Sequence, residues 1–407
     1  MERTVPIFQQ RADPLGSLML PTEKYAMSLV NPSLAGQSGQ RLDGVDALRG
    51  LAALYVLVYH LALIPTPNLR VPSWAARYVL TGGTGVTLFF IVSAFCLCLS
   101  MRTHQNEPAP VAGFYLRRVF RIVPLFYLWM ALSWARDLYL GIRHPWWEML
   151  LNASFSFNFL PGKNEGIVWA GWTLGVEMVF YLLFPLLFWY AGTLVKSVLF
   201  FAGSLSIALV FTRLSVDLPI ADSARESFLR TNLLVQMPVF ALGMVAYFVY
   251  ERFIRGRSRS RAWAFLLAGT AIFVYDRLIS GKMPQFMASN YGQGVIYGVL
   301  LTGLTIAPLA LLVNPFSRFY GKISYSLYLN HPTFVLLLTP AYRIIYSVQM
   351  RPTLQYGACL LLTLGCLTAI SYATFRFVEL PGMKMGSRLI RRLKAKIQAA
   401  PSPAVSL

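Results

Sequence analysis

Long apolar stretches, separated by short polar segments, dominate the chain from residue 48 to residue 378. Most of them have about the length that an α-helix needs to cross the hydrocarbon core of a bilayer, roughly 20 residues. They are too long and too uniformly apolar for the alternating strands of a membrane barrel. The pattern predicts ten membrane spans, at 48–64, 78–100, 119–140, 168–190, 194–212, 232–251, 262–279, 291–313, 320–340 and 355–378.

Lipid-exposed backbone must satisfy its own hydrogen bonds, which favours helices. We therefore predict an all-α fold, a polytopic transmembrane helical bundle of about ten spans, with a further partial helix at 146–161. The composition agrees, because 56% of the 407 residues are hydrophobic, 13% are charged and the mean hydropathy is +0.55. A soluble domain could not cover that much apolar surface.

The formal net charge of +20 favours a membrane over a nucleic acid as partner. Basic clusters at 117–121, 252–261 and 388–396 fall on one side of a ten-span bundle. This is the positive-inside pattern, so both termini are expected in the cytoplasm. Topology and anionic lipid headgroups account for the bias, so no nucleic-acid partner is expected.

The two ends of the chain differ from the membrane domain, which is predicted at 41–382. Residues 1–40 are rich in Pro, Gly, Ser and Gln, which predicts a disordered cytoplasmic tail. Residues 383–407 are predicted as a basic cytoplasmic tail. The four cysteines lie in apolar surroundings without metal-like neighbours, so no metal site is expected.

Arg49 and His60 are polar residues inside the first predicted span. His60 follows Arg49 by eleven positions, so a helix that turns about 100° per residue places them on one face, about 16 Å apart. Such groups are costly in lipid. The interpretation we favour is therefore a site inside the bundle rather than a surface position.

Two further pairs share helix faces. Glu177 is the only carboxylate that the pattern places well inside the hydrocarbon zone, and Tyr181 follows one turn later. Arg118 and Arg121 are three residues apart at the cytoplasmic edge of the third span, where a soluble anionic ligand could reach them. For Arg118 and Arg121, the alternative explanation is contact with lipid headgroups.

The ninth span carries a second polar stripe. Ser324, Tyr328 and His331 recur at i, i+4 and i+7, and Pro332 follows directly. We expect this proline to disturb the helix at that point. For His331 alone, an interhelical hydrogen bond is as good an explanation as a functional role.

These residues favour chemistry without deciding its class. A histidine close to a carboxylate is a competent general base for a hydroxyl nucleophile, and arginines suit a phosphate-bearing donor. The set therefore fits a group-transfer enzyme. It equally fits a membrane transporter or flippase that uses His60 and Glu177 as a proton relay. A noncatalytic membrane scaffold is the third alternative.

The chain resembles the acyltransferase family 3 membrane proteins in six blocks that follow the family's order. The first, LDGVDALRGLAALYVLVYH from Leu42 to His60, combines an Asp-x-Leu-Arg-Gly opening with a histidine after ten intervening residues. The second block is GVTLFFIVSAF (85–95). It departs from the family pattern, since Thr87 and Ala94 stand where an acidic residue and a glycine are usual. The remaining four blocks are YLRRVFRIVP (115–124), WTLGVEMVFYLLFP (172–185), GKISYSLYLNHP (321–332) and RFVELP (376–381).

The resemblance covers about residues 41–382, which it identifies as a transmembrane acyltransferase domain. It implies an O-acyltransferase that moves an acyl group, often acetyl from acetyl-CoA, to a hydroxyl of a carbohydrate or cell-envelope glycan. The implied partners are acyl-CoA as donor substrate, a glycan acceptor and the lipid bilayer. No permanently bound cofactor is expected. We expect a multi-pass protein of a bacterial inner membrane.

The resemblance also suggests roles for individual residues. Arg49 and His60 match the arginine and histidine of the first span that are regarded as essential in this family. We predict that Arg118 and Arg121 hold the CoA phosphates and that His60 acts as general base or is itself transiently acylated. Glu177 is expected to orient His60 or to bind acceptor hydroxyls. The other candidates for binding substrate or acyl-CoA are Asp46, Tyr181, Ser324, Tyr328 and His331.

Overall fold

A computed structural model describes residues 42–217, 219–258 and 260–399, and this part of the chain is all-helical, without strands. The predicted tail at 1–40 and the last eight residues of the C-terminal tail lie outside the described residues. The α-helices are α1 (Asp43–Leu63), α2 (Ser73–Val79), α3 (Gly85–His104), α4 (Pro110–Tyr139), α5 (Trp146–Ala153), α6 (Trp172–Tyr190), α7 (Leu194–Leu214), α8 (Asp222–Thr231), α9 (Leu233–Val249), α10 (Arg261–Ile279), α11 (Gln285–Ala288), α12 (Asn290–Ile306), α13 (Pro315–Lys322), α14 (Ser324–Leu337), α15 (Thr339–Ser347), α16 (Pro352–Thr374) and α17 (Leu380–Ala399).

Apolar helices of membrane-crossing length make the chain a multi-pass membrane protein. Within the described ranges, seven helical segments have the length and hydropathy to cross a bilayer. Each overlaps one of the ten spans expected from the sequence. The segments are Asp43–Leu63, Ser73–His104, Trp172–Tyr190, Leu194–Asp217, Asp222–Ile254, Arg261–Ile279 and Pro352–Ala399.

The other three expected spans form helices that fall short of these criteria. The span at 119–140 lies in α4, which contains four arginines and an aspartate. The span at 291–313 corresponds to α12, which has 17 residues. The span at 320–340 is divided into α13, α14 and the start of α15. The expected partial helix at 146–161 is present as α5.

Pro332 does not end its helix, because α14 runs through it to Leu337. A proline inside a helix removes the backbone hydrogen bond to the carbonyl four residues earlier, here that of Tyr328. The side chain of His331 bonds this carbonyl through Nδ1. The lost backbone donor is thereby replaced by a local side chain.

Helices α1 and α13 approach each other so closely that their contact needs glycine on both sides. A Cβ atom built on Gly321 would lie 1.9 Å from the backbone oxygen of Asp46, and one built on Gly50 would lie 2.2 Å from the oxygen of Ser317. Real Cβ atoms do not approach backbone atoms this closely. The contact holds the first turns of α1, including Arg49, against the segment that leads into α14.

The substitution Gly321→Ala is therefore expected to push α1 and α13 apart and to lower the stability of the folded protein by about 1–3 kcal/mol. The matched control is Gly298→Ala in α12, where an added Cβ meets nothing within 4 Å. Thermal unfolding of the purified proteins in detergent measures the difference. An unchanged midpoint for Gly321→Ala would contradict the packing described.

Candidate active site

A polar cavity of about 300 Å³ lies between α1, α3, α4, α6 and α14. Three guanidinium groups and two carboxylates line it, and the remaining lining includes several hydroxyl groups. It contains eight of the ten site residues expected from the sequence, which are Asp46, Arg49, Arg118, Arg121, Glu177, Tyr181, Ser324 and Tyr328. We call it the arginine cavity.

The arginine cavity has an excess of cationic groups. Arg49 donates a hydrogen bond of 3.1 Å to the Ser324 hydroxyl. The guanidinium of Arg118 lies over the rings of Phe114 and Tyr181, and its buried Nε has no hydrogen-bond partner in the described part of the chain. A buried donor without a partner is costly. The cavity is therefore suited to an anionic ligand with several acceptor oxygens.

Glu177 and Tyr181 line the arginine cavity together, as their spacing in the sequence predicts. The Tyr181 hydroxyl is 2.9 Å from that of Ser93 on α3, so the two hydroxyls form a hydrogen bond across the cavity wall. Glu177 is thus in a polar pocket rather than against lipid. This placement explains how a carboxylate is tolerated within an apolar helix.

The sequence reasoning missed a further carboxylate inside the bundle. Glu379 is 2% exposed and accepts a hydrogen bond from the Ser326 hydroxyl of α14. It ends a short π-helical turn, Phe375–Glu379, one residue beyond the last expected span. The RFVELP block was a signal for it, but hydropathy placed this residue at the edge of the membrane rather than in the bundle.

A second and larger cavity, of about 800 Å³, contains His60. We call it the histidine cavity. His60 lies near the end of α1 whereas Arg49 lies near its start, so the two cavities occupy different levels of the bundle. Besides His60, the polar and aromatic lining consists of Tyr59, Thr81, Thr84, Thr87, Arg136, Glu165, Trp169, Trp172, Arg230, Gln236, Asn290, Gln293 and Tyr328.

Charged and aromatic side chains line the histidine cavity together. Glu165 accepts a hydrogen bond of 2.7 Å from Arg230, whose guanidinium lies 5.3 Å from the Trp172 ring centroid. Trp169 keeps 42% of its surface exposed. Tryptophan faces and paired charges suit a ligand that presents both apolar ring faces and hydroxyl groups. Glu165 and Arg230 lie outside the expected spans, so span-based reasoning gave no signal for them.

A thin wall separates the two cavities. Val86 and Tyr328 line both of them. The Tyr328 hydroxyl accepts a hydrogen bond of 3.1 Å from Thr173, and its ring packs edge-on against Phe89 with centroids 5.4 Å apart. The wall is therefore made mainly of side chains, with Tyr328 at its centre.

The two polar stripes expected from the sequence meet along the contact between α1 and α14. Arg49 bonds Ser324 at one level, and His60 Nδ1 lies 3.1 Å from His331 Nε2 at the other. The structure does not bring Glu177 to His60, because Glu177 lines the other cavity. His331 is 1% exposed and lines neither cavity, so the geometry gives no support to its expected role in direct substrate binding.

A buried charge network supports the rim of the histidine cavity. His144 lies between two carboxylates, with Nε2 2.9 Å from Asp137 and Nδ1 3.3 Å from Glu148. Arg136, which lines the cavity, pairs with Asp137 at 2.7 Å. Lys163 pairs with Glu148 at 2.9 Å. The network ties the loop after α4 to α5 and so holds Arg136 in place.

Comparison with known proteins identifies the family. A family model described as "Acyltransferase domain" (Acyl_transf_3) matches residues 42–372. The chain belongs to acyltransferase family 3. The match confirms the resemblance carried by the six sequence blocks. It also confirms the enzyme class expected from those blocks, which is acyltransferase. No solved structure matches the chain.

Curated relatives carry more specific names. The chain is 25% identical over 396 residues to O-acetyltransferase OatA of Staphylococcus aureus (strain NCTC 8325 / PS 47), covering 88% of this chain and 60% of the relative. It is 25% identical over 386 residues to peptidoglycan O-acetyltransferase OatA of Listeria monocytogenes, covering 86% of this chain and 57% of that relative. The chain thus spans somewhat less than two thirds of the length of these relatives.

Proposed function

We propose that this protein is an O-acetyltransferase that moves an acetyl group from acetyl-CoA to a hydroxyl of a cell-envelope glycan, with peptidoglycan as the first candidate acceptor. The arginine cavity holds the donor, and the histidine cavity holds the acceptor. The observation that carries the proposal is that an arginine-lined cavity and a cavity containing His60 share a wall at Tyr328. The names of the relatives support the acceptor class.

The arginine cavity supports a CoA thioester as donor. Arg118 and Arg121 bind phosphate oxygens at its mouth, and Arg49 adds a third cationic group deeper in the bundle. Bound phosphates satisfy the Nε of Arg118, which otherwise lacks a hydrogen-bond partner in the described residues. The acyl end of the donor then points towards Tyr328 and the histidine cavity.

The chemical step needs one base on the acceptor side. The acceptor oxygen forms a bond to the thioester carbonyl carbon while His60 takes the hydroxyl proton. The carbon–sulfur bond then breaks, and the proton passes from His60 to the departing sulfur. Transient acylation of His60 gives the same products in two steps, with the same overall proton balance.

We further propose about ten spans in a bacterial inner membrane, with both termini cytoplasmic. The helices α4, α12 and the pair α13–α14 supply the three spans beyond the seven apolar segments. Ion pairs join basic residues to acidic residues at helix ends or in a connecting loop, as in Arg318 with Asp43, Arg102 with Glu251, and Lys394 with Glu107. The basic residues of these pairs belong to the end of the bundle that we place at the cytoplasmic leaflet, where positive charge is favoured.

The direct test uses the purified full chain in vesicles, with radiolabelled acetyl-CoA outside and peptidoglycan fragments supplied on either side. The proposal predicts alkali-labile label in the fragments and an equal amount of free CoA. A transporter would instead accumulate label inside the vesicles without releasing CoA. That result, or CoA release without any labelled glycan, would contradict the proposal.

Tyr328→Ala is expected to open the wall between the cavities and to raise hydrolysis of acetyl-CoA in the absence of acceptor, because water then reaches the thioester. Tyr328→Phe keeps the ring and removes only the bond to Thr173, so its hydrolysis should stay close to the wild-type rate. Release of free CoA without acceptor measures the effect. Equal hydrolysis by all three proteins would show that Tyr328 does not seal the donor cavity.

A further inference from the structure

His331 is a buried imidazole that the mechanism above does not use. It is 1% exposed and lines neither cavity, yet its Nε2 lies 3.1 Å from Nδ1 of His60. The two rings are 4.8 Å apart, centroid to centroid. A polar ring held this firmly in an apolar bundle needs a reason, because an apolar side chain would cost less.

The local sequence sets the orientation of the His331 ring. Pro332 has no N–H, so the carbonyl of Tyr328 loses its usual helical donor. Nδ1 of His331 bonds this carbonyl. A carbonyl only accepts hydrogen bonds, so Nδ1 is the nitrogen that carries the proton. Nε2 of His331 is therefore left with its lone pair and faces His60 as an acceptor.

The acceptors around His60 set its tautomer in turn. Its Nδ1 is 3.0 Å from the carbonyl of Val56 and 3.1 Å from His331 Nε2, and both of these are acceptors. The proton of neutral His60 therefore lies on Nδ1, and the lone pair lies on Nε2. This is the arrangement that a general base needs, and His60 lines the histidine cavity.

We propose that His331 is a positioning residue that holds His60 in the tautomer with a free Nε2. It accepts the hydrogen bond from His60 Nδ1, and it supports the imidazolium that forms when Nε2 takes the acceptor's proton. This role rests on the proposed function. It is the role that a carboxylate plays beside many catalytic histidines. Within a bilayer a neutral imidazole performs it without burying a negative charge.

The role of His331 is tested by comparing kcat and KM between two variants that differ in whether they keep an acceptor near His60. His331→Leu removes the acceptor and is expected to lower kcat roughly 10- to 100-fold with little change in KM for acetyl-CoA. His331→Gln places a side-chain oxygen near the position of Nε2 and should recover most of that loss. The matched control is His104→Leu, because His104 makes the same kind of Nδ1 contact, with the Ser100 carbonyl, away from both cavities.

Nitrogen NMR gives a readout that does not depend on acyl transfer. The chain has four histidines, so signals of nitrogen-labelled histidine can be assigned by single substitutions. We expect His60 in the Nδ1–H form in the wild type and in His331→Gln. In His331→Leu the Val56 carbonyl is the one acceptor left of the two at Nδ1, so we expect a larger share of the Nε2–H tautomer than in the wild type. A wild-type His60 protonated on Nε2, or full kcat in His331→Leu, would overturn the proposal.

The two proposals fail in different ways. If the NMR shows the expected tautomers but the wild type transfers no acetyl group to peptidoglycan fragments, the proposed function is wrong and the histidine pair stands. If acetyl transfer is found and His60 has the other tautomer, the function stands and the role of His331 is wrong.

Discussion

Replacing His60 with alanine is expected to lower kcat for acetyl transfer by about 10²–10⁴-fold, the usual contribution of a general base. The acceptor hydroxyl then loses the imidazole that takes its proton. The KM for acetyl-CoA should change little, because the phosphates that anchor the donor bind in the arginine cavity, away from His60. Initial rates of label transfer to peptidoglycan fragments, measured over a range of acetyl-CoA concentrations, separate the two quantities.

The control for this variant is His104→Ala, which removes an imidazole from the end of α3 and leaves both cavities intact. It should retain the wild-type kcat. Thermal unfolding of both variants excludes a general loss of folded protein. If His60→Ala transferred acetyl groups at the wild-type rate, neither the base mechanism nor the acyl-histidine mechanism would survive.

Helical periodicity predicted which residues share a face, and the structure confirms these shared faces. Arg49 and His60 both contact α14, through Ser324 and His331. The spacing of Glu177 and Tyr181 likewise places them in one cavity. Side-chain direction along a regular helix depends on local geometry alone, so sequence spacing is sufficient for it.

The division into two cavities could not be predicted in this way, because it depends on which helices touch. Periodicity places Glu177 on a face but does not say whether that face meets His60 or Arg118. The histidine cavity also takes Glu165, Trp169 and Arg230 from segments around short helices and loops. In a sequence, Glu165 and Arg230 look like ordinary polar connections between spans, and Trp169 looks like one more apolar residue of the span at 168–190.

Hydropathy predicted the helical bundle correctly, and it was least reliable where the site lies. The charged residues of α4 and the short helices α13 and α14 reduce the apolar length of two expected spans. These same elements supply Arg118, Arg121, Ser324 and Tyr328 to the arginine cavity. Polar side chains and helix breaks are tolerated there because they face protein rather than lipid.

The second large expected effect is a loss of acetyl-CoA binding when the arginines of the arginine cavity are replaced. Replacing both Arg118 and Arg121 with methionine keeps the apolar length of the side chains and removes two cationic groups. A hydrogen bond to a charged group contributes about 1.5–3 kcal/mol, so each substitution should lower kcat/KM for acetyl-CoA roughly 10- to 150-fold. The double variant should lose more than either single variant, and the loss should appear mainly in KM.

A donor without phosphates decides whether these arginines act on the phosphates. Acetyl-pantetheine carries the same thioester but no phosphate, so the wild type and the double variant should use it about equally poorly. Arg102→Met is the control, since Arg102 pairs with Glu251 outside the arginine cavity, and it should keep the wild-type preference for acetyl-CoA. If the double variant lost the same factor with both donors, Arg118 and Arg121 would act on the structure or on the thioester rather than on the phosphates.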